Sequence, residues 1–327
     1  VKRFDEARKD SFEDREDLLR KLLMYEVSDR RNMAEKPVRG IAPVERLLER
    51  LLREWKPDAV VCTYMVYPYM LDSLASRTGR AVPYLTVVTD SFVINKSWLC
   101  SKSPLWAVTD PWTRAIMEEK GLPQDRLRVT GFPVNPVLGA LAEEHPLSWK
   151  EGEPFRVLYF AQRSARHARA ELAGMLDANP ALHVTCILGR RFRRIYPRIR
   201  DLRARYGRRL MVRGWTRRVP SYLAASHVVV GKAGGATVHE VLAAARPMLV
   251  NFLLPGQEEG NTRLLEKLGG GSHVSDARAL ASALQEMMAD GGAQWRRMHE
   301  NLLRAGMTGG SGRIADLALK LAEEHTN

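Results

Sequence analysis

The sequence lacks the features that mark several common functional classes. Its 327 residues contain no run of 18 apolar residues, so no helix is predicted to span a bilayer. Its opening residues are charged and helical in pattern, which is unlike a signal peptide. The eight histidines show no ligand spacing such as H-x-x-x-H, and we predict no metal site.

Cysteine is also scarce. Cys62, Cys100 and Cys186 are scattered without the spacing of a zinc site. Because Cys62 and Cys186 end apolar stretches that resemble strands, we expect buried thiols at these two positions. Free thiols suit a reducing compartment, and we expect a cytoplasmic protein.

Acidic residues are too few to balance the basic ones: 38 stand against 51, which gives a net charge of +13. Arginine is densest over residues 190–218, where Asp201 is the one acidic residue. This stretch fits either a solvated helix face or attraction to an anionic membrane surface. It contains no recognisable nucleic-acid module, so no nucleic acid partner is expected.

The length suits two domains of about 150 residues, each able to bury its own core. Apolar strands alternate with helices in the second half, which is typical of a parallel sheet. These strands are predicted at 156–161, 183–188, 210–213, 227–230 and 248–253. We predict an α/β protein with an N-terminal domain over 1–145, a linker over 139–154 and a C-terminal domain over 155–327.

Residues 228–245 predict a strand, a glycine turn and a helix. Gly234 and Gly235 let the backbone approach a ligand, and the helix that follows directs N–H groups and partial positive charge into the turn. This arrangement suits a phosphate. We predict that the phosphate group contacts Lys232, Gly234, Gly235, Ala236 and Thr237. Glu240, early in the helix, can reach a ribose diol.

Two alternatives stay open at this turn. Thr237 and Glu240 also have the spacing of a capping box, in which both side chains only satisfy the helix end. Lys232 can equally be a solvated surface lysine.

A second polar turn follows the next strand and contains Gln257, Glu258 and Asn261. Ligands of open parallel sheets bind at the carboxyl ends of strands, and these side chains suit sugar hydroxyls. A plain polar loop is the alternative. Another strand ends in Arg213–Trp215, where Gly214 can hold uracil through backbone groups or form a simple turn beside a packed tryptophan. Together these turns favour a nucleotide-sugar site.

The segment GKAGGATVHEVLAAARPMLV, followed by PGQEEGN, resembles the donor site of the processive diacylglycerol glycosyltransferases and monogalactosyldiacylglycerol synthases. It is more distantly similar to the N-acetylglucosaminyltransferase that forms lipid II. The resemblance implies the GT-B fold, in which two Rossmann-like domains face a cleft and the last helix commonly crosses back to the first domain. It also implies inverting transfer from a UDP-sugar, with no metal and no further cofactor.

The same resemblance assigns parts of the donor to individual residues. It places the diphosphate on Gly234, Gly235 and Thr237 and the ribose on Glu240. It places the sugar on Gln257 and Glu258.

The chain departs from the family in three places. No G-x-G-H motif occurs, so we expect the first strand and its base-carrying loop to be missing, through truncation or a shortened gene. Asn95 stands where the family has a histidine, and residues 162–164 replace a glycine-rich loop. Asp90, at the end of a predicted strand over 82–88, is the remaining candidate to orient or deprotonate the acceptor hydroxyl. A loop-capping aspartate is the alternative.

The stretch SWLCSKSPLW, residues 97–106, contains Trp98, Lys102 and Trp106 in a loop-like context. Tryptophan beside lysine suits insertion at a membrane interface, and burial of both rings in the core is the alternative.

These observations predict a UDP-sugar-dependent hexosyltransferase. We expect it to move a hexose from a UDP-hexose to a lipid acceptor such as diacylglycerol, at the inner face of the cell membrane. One alternative is a non-catalytic UDP-sugar-binding or lipid-sensing protein of the same fold. A UDP-sugar epimerase is a further alternative, but it needs acid and base groups that the sequence does not place.

Overall fold

The computed structural model describes residues 42–144, 147–254 and 256–326, without the side chains of Ala142, Gln257 and Thr326. The expectation of a missing first strand concerns the start of the chain, and residues 1–41 lie outside the described part. Over the described residues the chain forms two compact units. The N-terminal unit runs to Pro133 and resumes at Gly309, and the C-terminal unit runs from Val134 to Thr308.

The N-terminal unit contains four parallel strands in the order β1-β2-β3-β4. Their bounds are β1 Val60–Cys62, β2 Tyr84–Val87, β3 Leu105–Val108 and β4 Leu127–Val129. The helices are α1 Ala42–Trp55, α2 Val66–Thr78 and α3 Pro111–Glu119, with a 3₁₀ turn at Lys96–Leu99. Every residue of β2 is buried, as a parallel strand covered on both faces requires.

The last helix, α13 Gly310–Thr326, belongs to the N-terminal unit. It packs against β2, and its Ile314 joins a buried cluster with Leu85, Val87 and Ala107. Arg313 Nε donates to the carbonyl oxygen of Thr130 at 2.6 Å. Helix α13 therefore contributes to the core of the first sheet.

The C-terminal unit contains six parallel strands in the order β10-β9-β8-β5-β6-β7. Their bounds are β5 Phe155–Phe160, β6 Leu182–Ile187, β7 Leu210–Arg213, β8 Val228–Lys232, β9 Met248–Phe252 and β10 Gly271–His273. The helices are α4 Val137–Glu144, α5 Ala165–Ala178, α6 Phe192–Ile195, α7 Arg200–Tyr206, α8 Val219–Ala224, α9 Gly235–Ala243, α10 Gln257–Lys267, α11 Ala277–Met288 and α12 Ala293–Ala305. Both units are parallel α/β structures, as the sequence predicts.

The strand order creates a switch point at β5. From β5 the chain proceeds to β6 and β7 on one side, and then crosses to β8 on the other side. The loops after β5 and β8 therefore leave the sheet in opposite directions, which opens a crevice at the carboxyl ends of these strands.

The C-terminal unit differs from the sequence predictions in three places. The predicted linker begins with helix α4, which packs against α8 inside the C-terminal unit. Between β6 and β7 the sequence pattern predicts one helix over 192–205, but the structure divides this segment into α6, a 3₁₀ turn at Tyr196–Arg198 and α7, because Pro197 cannot donate an intrahelical hydrogen bond. The short edge strand β10 was not predicted.

The tryptophans of residues 97–106 do not lie at the surface. Trp98 and Trp106 are both buried, and Leu105 and Trp106 begin strand β3. The Trp106 indole N–H donates to the carbonyl oxygen of Trp98 at 3.1 Å. The prediction that these rings insert into a membrane interface is therefore wrong. Both rings are buried in the core, which was the alternative. Cys62 and Cys186 are buried free thiols, as expected.

Candidate functional site

The two polar turns predicted from the sequence meet at one edge of the C-terminal sheet. Strands β8 and β9 are paired, with Lys232 in register with Phe252. The Lys232 ammonium forms an ion pair with the Glu258 carboxylate, whose side chain is only 5% exposed. The second carboxylate oxygen of Glu258 accepts a hydrogen bond from the Leu254 N–H at 2.7 Å. The pair therefore ties the glycine turn to the start of α10.

The glycine turn differs in detail from the expectation. Helix α9 begins at Gly235 with Gly234 as its N-cap, two residues before the predicted start at Thr237. Thr237 is therefore inside the helix, and no side-chain cap hydrogen bond forms, so the capping-box alternative is wrong. Since Gly234 has no side chain to accept their hydrogen bonds, the first N–H groups of α9, including those of Gly235 and Ala236, suit an external anion.

The space beside Gly234 is narrow. A Cβ atom at this position would lie 3.4 Å from Lys232 Nζ and 3.9 Å from Glu258 Oε1. A side chain there would fill the gap between the helix start and the ion pair. Glycine thus leaves this position open to a ligand that reaches both groups.

Glu240 lies on the second turn of α9, because the helix starts earlier than predicted. Its side chain is partly buried, and burial raises the pKa of its carboxyl. A carboxylate with reduced hydration is a strong acceptor for paired hydroxyl groups.

Asn261 lies beneath the glycine turn rather than at its surface. The residue is fully buried, and its Nδ2 donates to the carbonyl oxygen of Ala233 at 3.0 Å. Its Oδ1 is buried without a hydrogen-bond partner. Asn261 therefore supports the turn from α10, while contact with a sugar stays a prediction. The side chain of Gln257 lies outside the described part of the chain.

The loop after β7 carries an exposed aromatic side chain. Trp215 is 61% exposed, and the Arg217 guanidinium carbon lies 5.7 Å from its ring centroid. The alternative of a packed tryptophan is therefore wrong. A Cβ atom at Gly214 would lie 3.5 Å from the Phe192 ring, so this backbone passes close to α6. The loop is three strands from β8, or about 14 Å at the usual strand spacing.

A buried polar cluster below the carboxyl edge was missed by sequence reasoning. Glu171 on α5 accepts hydrogen bonds at one oxygen from the Tyr159 hydroxyl at 2.6 Å and the Asn251 amide at 2.7 Å. Burial raises the pKa of the Glu171 carboxyl, and these hydrogen bonds and Arg163 oppose that shift. The available signal was a glutamate on the apolar face of α5, beside Ala168 and Leu172.

Asp90 is the predicted acceptor-activating group in the N-terminal unit. It is 1% exposed, and its Oδ2 accepts a hydrogen bond from the Trp98 indole N–H at 2.7 Å. Asn95, where the family has a histidine, caps the 3₁₀ turn by accepting from the Ser97 N–H at 2.9 Å. This geometry supports the loop-organising alternative for Asp90, and its catalytic role stays a prediction.

The described part of the chain contains neither a metal-binding cluster nor a helix suited to span a membrane. Within residues 42–144, 147–254 and 256–326, no three His, Cys, Asp or Glu side chains cluster as a metal site would need. None of the helices in this part of the chain is both long and apolar enough to cross a bilayer. Independence of metals remains a prediction.

Comparison with known families confirms the resemblance seen in the motifs. Residues 17–134 match the family described as monogalactosyldiacylglycerol (MGDG) synthase. Residues 171–310 match the glycosyltransferase family 28 C-terminal domain. The first match covers most of the N-terminal unit, and the second covers the sheet edge with both polar turns.

Curated relatives extend this similarity along the chain. The chain is 24% identical over 252 residues to a processive diacylglycerol beta-glucosyltransferase of Staphylococcus carnosus, an alignment that covers 76% of this chain and 63% of the relative. It is 23% identical over 285 residues to the protein of the same name in Bacillus subtilis, covering 85% and 73% respectively. The chain thus spans less than two thirds of the length of the first of these relatives.

Solved structures show the fold. The MurG structure of Acinetobacter baumannii aligns with a TM-score of 0.61 at 14% identity, covering 86% of this chain and 78% of MurG. A Neisseria meningitidis UDP-GlcNAc 2-epimerase, bound to UDP-GlcNAc, aligns with a TM-score of 0.61 at 14% identity, covering 85% and 80%. The two parallel-sheet units therefore have the GT-B architecture that the motifs imply.

Proposed function

We propose that this chain is an inverting glycosyltransferase that transfers a hexose from a UDP-sugar to a lipid hydroxyl, such as that of diacylglycerol. The observation that carries the proposal is the meeting of two turns at neighbouring strand ends. One turn offers the N-terminus of α9, and the other offers the Glu258 carboxylate with its partner Lys232. A diphosphate and a sugar are joined directly in the donor, and these two turns suit one each.

The described residues support specific roles in donor binding. The diphosphate lies against the N–H groups of Gly235 and Ala236 and near the Lys232 ammonium. Glu240 accepts hydrogen bonds from the ribose, and Glu258 holds the hexose together with Gln257, which the family resemblance assigns to the sugar. The backbone at Gly214 holds the uracil.

The reaction follows from this placement. The lipid hydroxyl oxygen attacks the anomeric carbon, the bond from that carbon to the diphosphate oxygen breaks, and its electron pair leaves with UDP. The hydroxyl proton passes to a general base, for which Asp90 is the candidate. The helix dipole of α9 and Lys232 stabilise the negative charge on departing UDP, a task that a metal ion performs in other transferases.

A basic surface on the C-terminal unit favours attachment to an anionic membrane. The exposed arginines of α6, α7 and the 3₁₀ turn between them are Arg193, Arg194, Arg198, Arg200, Arg203 and Arg205. Basic residues near an anionic bilayer contribute about 1 kcal/mol each, so such a surface can hold the enzyme beside its lipid acceptor. The location that we propose is the periphery of the membrane, on its cytoplasmic side.

The direct test is calorimetry with UDP-glucose, UDP-galactose and UDP-N-acetylglucosamine. We expect at least one to bind the wild type, and Glu258→Ala to weaken that binding by about tenfold or more. Glu286→Ala removes an exposed carboxylate on α11 of the same unit and serves as the matched control. Equal affinity in Glu258→Ala and wild type contradicts the assigned sugar site.

A second candidate is a UDP-sugar-binding protein without turnover. It is favoured by the burial of Asp90 and its hydrogen bond to Trp98, which withdraw the candidate base from the acceptor. Turnover assays with diacylglycerol in vesicles distinguish the two candidates. Donor binding together with glycolipid formation supports the transferase, and donor binding alone supports the second candidate.

A further inference from the structure

The loop after β5 lies beside the proposed diphosphate site, across the crevice at the switch point. Strands β5 and β8 pair in parallel, with Tyr159 in register with Val230. At their carboxyl ends the backbones come close, since a Cβ atom at Gly231 would lie 3.3 Å from the Cβ of Phe160. Residues 161–164 thus leave the sheet next to the turn that contains Gly234.

Arg163 in this loop is held by two contacts. Its guanidinium carbon lies 5.6 Å from the centroid of the Phe252 ring, and its Nη1 lies 3.9 Å from Glu171 Oε1. Phe252 is also the residue in register with Lys232. Two cationic side chains, one from the end of β8 and one from the loop after β5, are therefore both next to Phe252.

The anchor of Arg163 is itself rigid. Glu171 is buried, and one of its oxygens is already occupied by the Tyr159 hydroxyl and the Asn251 amide. The other oxygen is the one nearest Arg163. A carboxylate fixed in this way orients the guanidinium of Arg163. An arginine has five N–H donors, and most of them are not used by this contact.

Arg163 keeps hydrogen-bonding capacity in this position. Its side chain is 20% exposed, while its Nε is buried without a hydrogen-bond partner. Buried donors without partners are rare in folded proteins and need an explanation. An anion that enters the crevice beside Lys232 can bind the exposed part of this side chain.

We propose that Arg163 is a contact for the second phosphate of the donor and makes this site selective for nucleoside diphosphates over monophosphates. The inference rests on the proposed donor site and extends it to the loop after β5. Arginine is suited to the role because its planar fork binds two phosphate oxygens at once and its face packs on an aromatic ring. The ring of Phe252 and the Glu171 carboxylate preorganise it.

The test compares the binding of UDP, UMP and uridine by calorimetry in wild type, Arg163→Met and Arg163→Lys. Arg297→Met removes an exposed arginine on α12 of the same unit and is the matched control. We expect the wild type to prefer UDP over UMP. In Arg163→Met, affinity for UDP should fall by about tenfold to a hundredfold, while affinities for UMP and uridine stay within twofold.

Arg163→Lys keeps the positive charge beside Glu171. It therefore provides a test of the inference if Arg163→Met fails to fold. A lysine lacks the fork, so its UDP affinity should still fall severalfold. Full UDP affinity in a folded Arg163→Met or in Arg163→Lys overturns the inference while leaving the donor site intact. A wild type that binds no UDP overturns the proposed function itself.

Discussion

The Lys232 ammonium pairs with the Glu258 carboxylate and so connects the end of β8 to the start of α10. Each residue was assigned a ligand from the sequence, phosphate for Lys232 and sugar for Glu258, yet in the structure they contact each other. In the proposed donor complex, the pair lies where the diphosphate and the hexose of the UDP-sugar are joined. A bound donor would therefore meet both members of the pair together.

The Lys232–Glu258 pair should be measurable as a coupling energy. In a double-mutant cycle with Lys232→Met and Glu258→Gln, urea denaturation should give single-variant losses of about 1–3 kcal/mol, because each leaves a poorly hydrated partner. The coupling should be about 0.5–3 kcal/mol. Arg297→Met, at an exposed site on α12, should change stability little. Strictly additive losses would show that the two side chains do not interact in solution.

Glu240 should read the ribose hydroxyls. We expect the wild type to bind uridine about tenfold more tightly than 2′,3′-dideoxyuridine, and Glu240→Ala to lose this preference. Burial raises the pKa of Glu240 above the ordinary value of 4.5, so its carboxyl should lose its proton at a higher pH than an exposed glutamate does. Uridine affinity should therefore rise as the pH increases from 4.5, whereas dideoxyuridine affinity should not. Calorimetry across this range tests both statements, and parallel pH profiles for the two nucleosides would contradict them.

His227 should make the C-terminal unit sensitive to acid. The ring is buried and its Nδ1 accepts a hydrogen bond from the Arg156 N–H at 2.8 Å. Burial, and secondly Arg156, lowers its pKa from 6.5 to about 4. The unfolded chain thus binds the proton more readily, and stability should fall as the pH drops from 6.5 toward 4. The loss should be on the order of 3 kcal/mol.

The variant His227→Asn, whose amide oxygen can replace Nδ1 as the acceptor, isolates this effect. Urea denaturation between pH 4.5 and 7.5 should show a shallower pH dependence in His227→Asn than in wild type. His273→Asn alters an exposed histidine on β10 and is the control. An unchanged slope in His227→Asn would assign the acid sensitivity to other groups.

Trp98 should stabilise the N-terminal unit through its hydrogen bond to Asp90. Trp98→Phe removes the indole N–H that donates to the buried Asp90 carboxylate, and we expect a loss of stability of about 1–3 kcal/mol. Trp55→Phe, which alters a ring that is largely exposed, is the control. Binding of UDP to the C-terminal unit should be the same in both variants. Equal stability of the two variants would mean that the Trp98–Asp90 bond contributes nothing.

The basic surface of α6 and α7 should bind anionic vesicles. Arg193→Gln with Arg200→Gln should lower affinity for phosphatidylglycerol-containing vesicles by about tenfold or more, at about 1 kcal/mol per charge. The pair Arg278→Gln with Arg297→Gln removes the same charge from α11 and α12 and should have a smaller effect. Binding should weaken with added salt. Equal losses in the two pairs would indicate that net charge alone governs attachment.

Local sequence patterns predicted most of the elements and the meeting of the two turns. The parallel sheet of the C-terminal unit followed from the alternation of apolar strands with helices. The turns after β8 and β9 were expected to lie together because parallel neighbours end at one edge. Strand β3 was not predicted, because the stretch that contains Trp106 has a loop-like composition. In the structure the Trp106 ring is buried, and its N–H donates to the carbonyl oxygen of Trp98.

The contacts inside the site were beyond such patterns. Lys232 and Glu258 lie on different elements, and the Glu171 cluster joins α5 to β5 and β9. Neither periodicity nor spacing in the sequence shows which side chains from distant elements will form an ion pair or a hydrogen bond. The exposure of Trp215 was likewise decided by the path of its loop rather than by its neighbours in sequence.

The return of α13 to the first sheet has a consequence for biosynthesis. Leu85, Val87 and Ala107 are covered by a helix that is synthesised after the C-terminal unit, so the first sheet stays uncovered while that whole unit is translated. A nonsense mutation near Gly310 would leave every proposed donor-binding residue in place. It would still remove the helix that covers the sheet of the N-terminal unit. Because the apolar surface of this sheet is exposed during synthesis, we expect the protein to depend on chaperones at that stage.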